Sequence, residues 1–261
     1  MSDTSASPIA LGTVLFTMVE PRRGHEVAYN RWYERDHFYA GCMIGAYNFA
    51  GNRYVATRDL KERRYPESSP ITPDPMTGSY AAIYWVLKGH HDDWNRWAVD
   101  QVNVLHANGR MFTERDHIHT VVYDFLGSVS REEDSVPPEL ALDHPYSGIH
   151  VCILEASSDR DGAVSWVRGQ LPAWLKDGPA GQALILTPKP LLDDAPADVP
   201  RDPATAVRIM ILFFLDGEPG ESEPFSSLGK LVADSGLASL VWSSPFKTTV
   251  KGTDKYTDEL W

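Results

Sequence analysis

Cysteine is scarce, long apolar runs are missing and basic clusters do not occur. Two cysteines, Cys42 and Cys152, lie far apart with no CxxC spacing. That excludes a disulfide framework and fits two buried thiols in a reducing compartment, so a cytoplasmic location is expected. No window approaches the run of about 20 apolar residues that a membrane helix needs. The polar start, Met1–Pro8, lacks the basic and apolar regions of a secretory signal. Net charge is −12 with no Lys/Arg cluster above the background, which argues against nucleic acid, whose binding rests on phosphate contacts. There is no GxGxxG after a strand, no P-loop, no GxSxG and no kinase set, so nucleotide and flavin chemistry by the common routes is not expected. Histidine is absent from one region: none of the nine follows His150, and nine of the eleven tyrosines lie at or before Tyr123. A single site, in the first half, is the simplest reading.

What is present is a repeating order of elements. Ile9 to Glu20 is rich in β-branched and aromatic residues and reads as a strand. A helix over Glu26–His37 follows, then strands at 46–58 and 80–88, a helix at 90–108 closed by Gly109, and a strand at 116–126. The order is β-α-β-β-α-β, the split βαβ arrangement of ferredoxin-like folds. After a polar linker with Pro137-Pro138 the order restarts: strand 148–156, helix 161–176, strand 182–187, strand 207–215, helix 225–239, strand 240–250. The chain is therefore read as α+β, with two fused ferredoxin-like repeats, 1–135 and 136–261. Each repeat has a proline-rich loop between its second and third strands. Leu60–Ser79, with four prolines, is expected to be a lid over the site.

On the first helix, residues three and four apart share a face. Glu26, Asn30, Tyr33 and His37 form one polar line, flanked by Tyr29 and Trp32. Such a line is either a solvated face or the wall of a cavity that needs hydrogen bonds. The run Tyr29-Asn-Arg-Trp-Tyr-Glu-Arg-Asp-His37 resembles the first-helix signature of the dimeric α+β barrel superfamily, and most nearly its EthD-like and polyketide-cyclase-like branches. Members often carry aromatic-Asn-x-Trp-Tyr, a histidine four residues after the tyrosine, then x-Pro. Tyr39 stands here in place of that proline. The specific motif covers about one helix, while the element order covers both halves. Trp166-Val-Arg-Gly-Gln-Leu171-Pro172 resembles the same segment in the second repeat, with Leu171 where the histidine would be. The resemblance implies that the sheets of the two repeats pair within the chain as two subunits pair in the family, and that a homodimer is possible besides. It also implies a site on the first helix.

The residue types then suggest roles. His37 can take and return a proton near neutral pH, or it is a structural histidine at a helix C-terminus. Tyr33, one turn earlier, can stabilise an oxyanion, and Asn30 can position substrate. His117 and His119, two apart on a strand, would share a face with Tyr123 and form the opposite wall. The H-x-H spacing would suit a metal only with a third ligand, and no HExxH specifies one, so no metal is expected. His119 is the further catalytic candidate, against a plain buried histidine. Trp32, Tyr80, Tyr84 and Tyr123 suit an aromatic ligand, although core packing explains such residues equally. Arg53 could meet a phenolate or carboxylate. His90-His-Asp-Asp93 reads as a helix start, and His106 is a further pocket candidate.

The expected function is a cofactor-independent lyase or isomerase acting on a small aromatic molecule, of polyketide or lignin type, through His37 and Tyr33. A cofactorless or haem-dependent oxygenase of the same superfamily is the alternative. A non-catalytic ligand-binding protein, with the polar line facing bulk water, is the reading of a different class.

Overall fold

The computed structural model describes residues 9–190, 201–220 and 223–261. The first repeat holds β1 (Leu11–Pro21), α1 (Glu26–Trp32), β2 (Asn48–Val55), the single turn α2 (Arg58–Lys61), β3 (Tyr80–Leu87), α3 (His91–Ala107) and β4 (Arg115–Ser130). The second holds β5 (Gly148–Ala156), α4 (Arg160–Lys176), β6 (Ala180–Pro188), β7 (Arg208–Leu215), α5 (Glu223–Asp234) and β8 (Ala238–Thr248). Each half is antiparallel, with its four strands in the order fourth, first, third, second. The halves join at two seams. β4 pairs with β6 over a long register, from Tyr123↔Pro188 to Ser130↔Gln182. β2 pairs with β8 only at Tyr54↔Thr248 and Val55↔Lys247. The result is a closed eight-stranded barrel, β1-β3-β2-β8-β5-β7-β6-β4. Closure removes every strand edge that would otherwise recruit another chain.

Alternation along the strands divides the core into three. Val14, Phe16, Met18, Trp85, Ile149, Val151, Ile153, Leu184, Met210, Phe214, Trp242 and Phe246 fill the barrel interior. The opposite face of the second-half sheet is packed solid by α4 and α5, through Val164, Val167, Leu171, Leu175, Phe225, Leu228 and Val232. Leu171 is fully buried there. The matching face of the first half carries a smaller aromatic cluster, Tyr29, Tyr33, Phe38, Tyr80 and Tyr84, and leaves space beside it. No helix among the described residues is long and apolar enough to cross a membrane.

Two local features differ from the sequence expectation. The first helix does not stop at His37. After α1 it widens into a π-helix over Tyr33–Met43, with Ile44 N–H reaching back five residues to Tyr39 C=O at 3.1 Å. π-Helical turns are rare and concentrate at functional sites. The C-terminal segment, which carried no signal, braces this helix. Asn30 Nδ2 donates to Thr253 C=O at 2.9 Å and Trp261 Nε1 donates to Glu26 at 2.6 Å. Gly252 N–H donates to Glu34, Arg31 pairs with Asp254, and Leu260 is fully buried in the aromatic cluster.

The proline-rich loop after β2 crosses onto the second half, and of the one after β6 the described ends, Lys189–Pro190 and residues 201–206, lie against the first. Because β2 and β6 both stand at seams, the chain leaving each runs onto the other half. Tyr65 bridges to Ser243 on β8, Arg64 donates to Ser244 and Trp242 Nε1 donates to Thr72. Leu60–Ser79 is therefore not the lid over the first-half cavity: none of its residues lines it.

Candidate functional site

A cavity of about 730 Å³ lies between the outer face of the first-half sheet, the π-helix and α3. Leu15, Thr17 and Val19 of β1 and Tyr84 of β3 form its floor, with Trp94, Val99 and Val102 of α3 opposite. Its cover comes from the second half: Lys189 and Pro190 after β6, and Arg201, Asp202, Pro203, Thr205 and Ala206 before β7.

Tyr33, His37, Gly41 and Cys42 present themselves to this cavity from the π-helix. The His37 imidazole lies flat on Trp32, with centroids 4.5 Å apart and planes 18° apart, and meets Tyr33 edge-on at 5.2 Å. Its Nδ1 is buried and has no hydrogen-bond partner among the described residues. Gly41 makes room for it, since a Cβ there would stand 2.7 Å from ring atoms Cε1 and Nδ1. Burial first, and then the Arg115 cation, push the His37 pKa down to about 3. The ring is therefore neutral at physiological pH. The side chain is half-buried and borders the cavity.

The Tyr33 and Tyr84 hydroxyls are 2.8 Å apart. Burial raises the pKa of both well above the ordinary phenol value. Cys42 is half-buried beside Tyr84, and desolvation pushes its thiol up to about 12. These groups are neutral hydrogen-bonding walls.

Other sequence candidates stand behind the wall. Arg53 is 3% exposed; it donates to Asn30 Oδ1 at 2.9 Å, pairs with Glu34 at 3.2 Å, and lies over the rings of Tyr33 (4.4 Å) and Tyr80 (5.2 Å). Arg53, Asn30 and Tyr80 do not line the cavity. They hold Tyr33 from behind, and Trp32 holds His37, with its own Nε1 donating to Arg110 C=O.

His119 and Tyr123 are not the opposite wall. Met18 pairs with His119 but Val19 pairs with His117, so Ile118 is an extra residue, a β-bulge. The bulge breaks the two-residue period. His117 stays on the cavity face, while His119 turns into the barrel against Phe16, with Nε2 2.9 Å from the Tyr123 hydroxyl. Burial lowers the His119 pKa to about 4. The sequence reading passed over Arg115, Thr17 and Thr120, all of which line the cavity. Plain alternation from His117 puts Arg115 on the cavity face, one residue before the expected start of the strand, whereas Thr120 reaches that face only because of the bulge.

No protein-family model and no curated protein matches this chain. Solved structures do. An anthrone oxidase-like protein aligns over 94% of this chain and 95% of its own, at 6% identity and TM-score 0.56. A proposed chlorite dismutase covers 97% and 100% at 10% identity and TM-score 0.53. An encapsulated DyP-type peroxidase of Mycobacterium smegmatis covers 98% and 97% at 11% identity and TM-score 0.50. The chain has the dimeric α+β barrel fold. Two βαββαβ units that pair across subunits in the two-chain version are fused here.

Haem is the cofactor to test against this fold. A ligating histidine almost always donates its second ring N–H to a carboxylate, carbonyl or water. His37 does not fit: Nδ1 lacks a partner among the described residues and faces Gly41 too closely to admit a porphyrin. Among the described residues no group of three or more His, Cys, Asp or Glu is placed to hold a metal ion.

Proposed function

We propose that this chain is an enzyme that removes a proton from a small aromatic substrate held in the first-half cavity, and that the resulting anion reacts with dioxygen. The observation that carries the reading is His37: a neutral imidazole stacked on Trp32 at the wall of a largely apolar cavity, beside the paired hydroxyls of Tyr33 and Tyr84. A neutral imidazole can accept a proton from an activated C–H or phenolic O–H. The paired hydroxyls of Tyr33 and Tyr84 can donate a hydrogen bond to the oxygen on which negative charge develops. The electron-rich anion then forms a C–O bond to dioxygen. At a doubly activated CH₂ the balance is simple: two hydrogens leave the carbon, one oxygen atom stays as a carbonyl and the other leaves as water. No step requires a bound cofactor.

Proton removal would also begin a lyase or isomerase reaction. The names of the structural neighbours, oxidase, dismutase and peroxidase, support the redox version. The non-catalytic reading needed the polar line to face bulk water, whereas Tyr33 and His37 border the cavity.

An oxygen electrode with a panel of anthrones and hydroxynaphthalenes tests this. Substrate-dependent oxygen uptake should fall about 10²–10⁴-fold in His37→Ala, the usual range for loss of an acid–base group, with the fold retained. Uptake that survives the substitution sinks the role of His37. Substrate cleavage or isomerisation without uptake restores the lyase reading.

A further inference from the structure

We infer that the two hydroxyls at the cavity wall are not equivalent: Tyr33 gives its hydrogen to the substrate oxygen on which charge develops, and Tyr84 is a positioning residue that gives its own to Tyr33. The inference deepens the reading above and rests on the cavity being the substrate site. The two oxygens are 2.8 Å apart, so one hydrogen lies between them and only the other is left for a ligand. On distance alone either oxygen could be the donor. What surrounds the pair gives it a direction.

Three observations agree. First, the charge behind the pair is on the Tyr33 side. Arg53, on β2 opposite Ala82 of β3, places its guanidinium 4.4 Å from the centre of the Tyr33 ring. Glu34 and Asn30 hold the guanidinium there, at 3.2 and 2.9 Å. Among the described residues no cation lies over the Tyr84 ring in this way. Burial is the largest influence on both phenols and raises both, but the lesser ones differ. The shared hydrogen bond and Arg53 lower Tyr33, whereas Cys42, Tyr33 and that same hydrogen bond raise Tyr84. Negative charge is thus better tolerated at Tyr33. Second, the other hydrogen-bonding neighbour of Tyr84 is the Cys42 thiol. Sulfur is a weak acceptor, so the Tyr84 hydrogen is better placed on the Tyr33 oxygen. Third, Tyr33 keeps 4% of its surface exposed and Tyr84 none. Tyr33 also meets the His37 ring edge-on at 5.2 Å, so donor and base reach the same small molecule.

The direction has a chemical consequence. A hydroxyl that accepts a hydrogen bond becomes a stronger donor, because bonds in a chain polarise one another. Tyr84 therefore strengthens Tyr33 without touching the substrate. No proton changes owner at Tyr33. Its O–H bond stays intact, and the negative charge stays on the substrate oxygen, stabilised by two hydrogen bonds in line.

Hydrogen–deuterium exchange at the CH₂ of anthrone, followed by proton NMR in D₂O under nitrogen, tests the inference on the full chain. Exchange reads proton removal alone and needs no dioxygen. Tyr33→Phe should lower the maximal exchange rate about 10²–10³-fold, the scale for losing one oxyanion donor. Tyr84→Phe should lower it roughly 2- to 10-fold, the scale of one neutral hydrogen bond, with KM nearly unchanged. The double variant should lose no more than Tyr33→Phe alone, because Tyr84 then has nothing to act through. Each change removes one oxygen atom and leaves both rings packed, so the fold is kept. The reverse order of losses, losses that multiply in the double variant, or no exchange above the spontaneous rate in the unaltered chain overturns the inference. The two proposals fail separately. Graded exchange with no oxygen uptake under air sinks the oxygenase and leaves the hydroxyl pair standing. Oxygen uptake indifferent to Tyr33→Phe does the reverse.

Discussion

At the scale of the residue, His37 depends on an atom that is missing. Gly41 has no Cβ, and the His37 ring occupies the place where one would stand. Gly41→Ala should displace the ring and cut turnover strongly, while alanine's better helix propensity spares the fold. Thermal melting beside an oxygen-uptake assay checks this; normal turnover with an unchanged melt would rule out the crowding argument. The buried imidazoles also set an acid limit. Burial lowers His37 to about 3, His119 to about 4 and His150 well below the ordinary value. Between roughly pH 6.5 and 4 the unfolded chain binds protons that the native one refuses, so stability falls as pH falls, by about 1.4 kcal/mol per pH unit for each group. Glu20, raised by burial, works in the opposite direction as one group against three. Urea unfolding at pH 7 and pH 5 should show the loss, and equal stability at the two values would contradict it.

At the scale of the element, much of the fold is legible because periodicity is local. β5 is found at its observed bounds, Gly148–Ala156, and most other strands and helices lie within a few residues of expectation. Tyr33, His37 and Tyr84 do reach one cavity. What the sequence hides depends on partners. The Ile118 bulge is set by Met18 and Val19 across the ladder, so a strict two-residue period assigns His119 to the wrong face. The π-helix keeps Tyr33 and His37 adjacent and leaves no mark in the apolar spacing. The C-terminal brace pairs residues more than two hundred positions apart, Asn30 with Thr253 and Glu26 with Trp261. Deleting residues 251–261 should therefore loosen α1 and the π-helix. Loss of Leu260 alone should cost about 1.5–3 kcal/mol, the range for one buried aliphatic side chain. Hydrogen exchange should quicken across residues 26–43 and stay slow in β5 and β7; protection unchanged in 26–43 would refute the bracing role.

At the scale of the whole molecule, barrel closure makes the halves interdependent. Separated at 135/136, each would expose two strand edges and one apolar sheet face. We expect residues 1–135 or 136–261 alone to aggregate or self-associate, and the two co-expressed to copurify one to one. A soluble monomeric half would show that the seams are dispensable. Sheet pairing between repeats is already made within the chain by β4·β6 and β2·β8, so a homodimer would need a different surface.

This crossing divides labour along the chain. The residues proposed to do chemistry, Tyr33 and His37, stand in the first half. The cover over them, Lys189–Pro190, Arg201–Pro203 and Thr205–Ala206, is encoded in the second. Changes in that cover can alter which molecules enter without moving the base, and changes around the base need not alter entry. The half that lacks histidine after His150 is thus the place where selectivity can vary while the reaction stays the same.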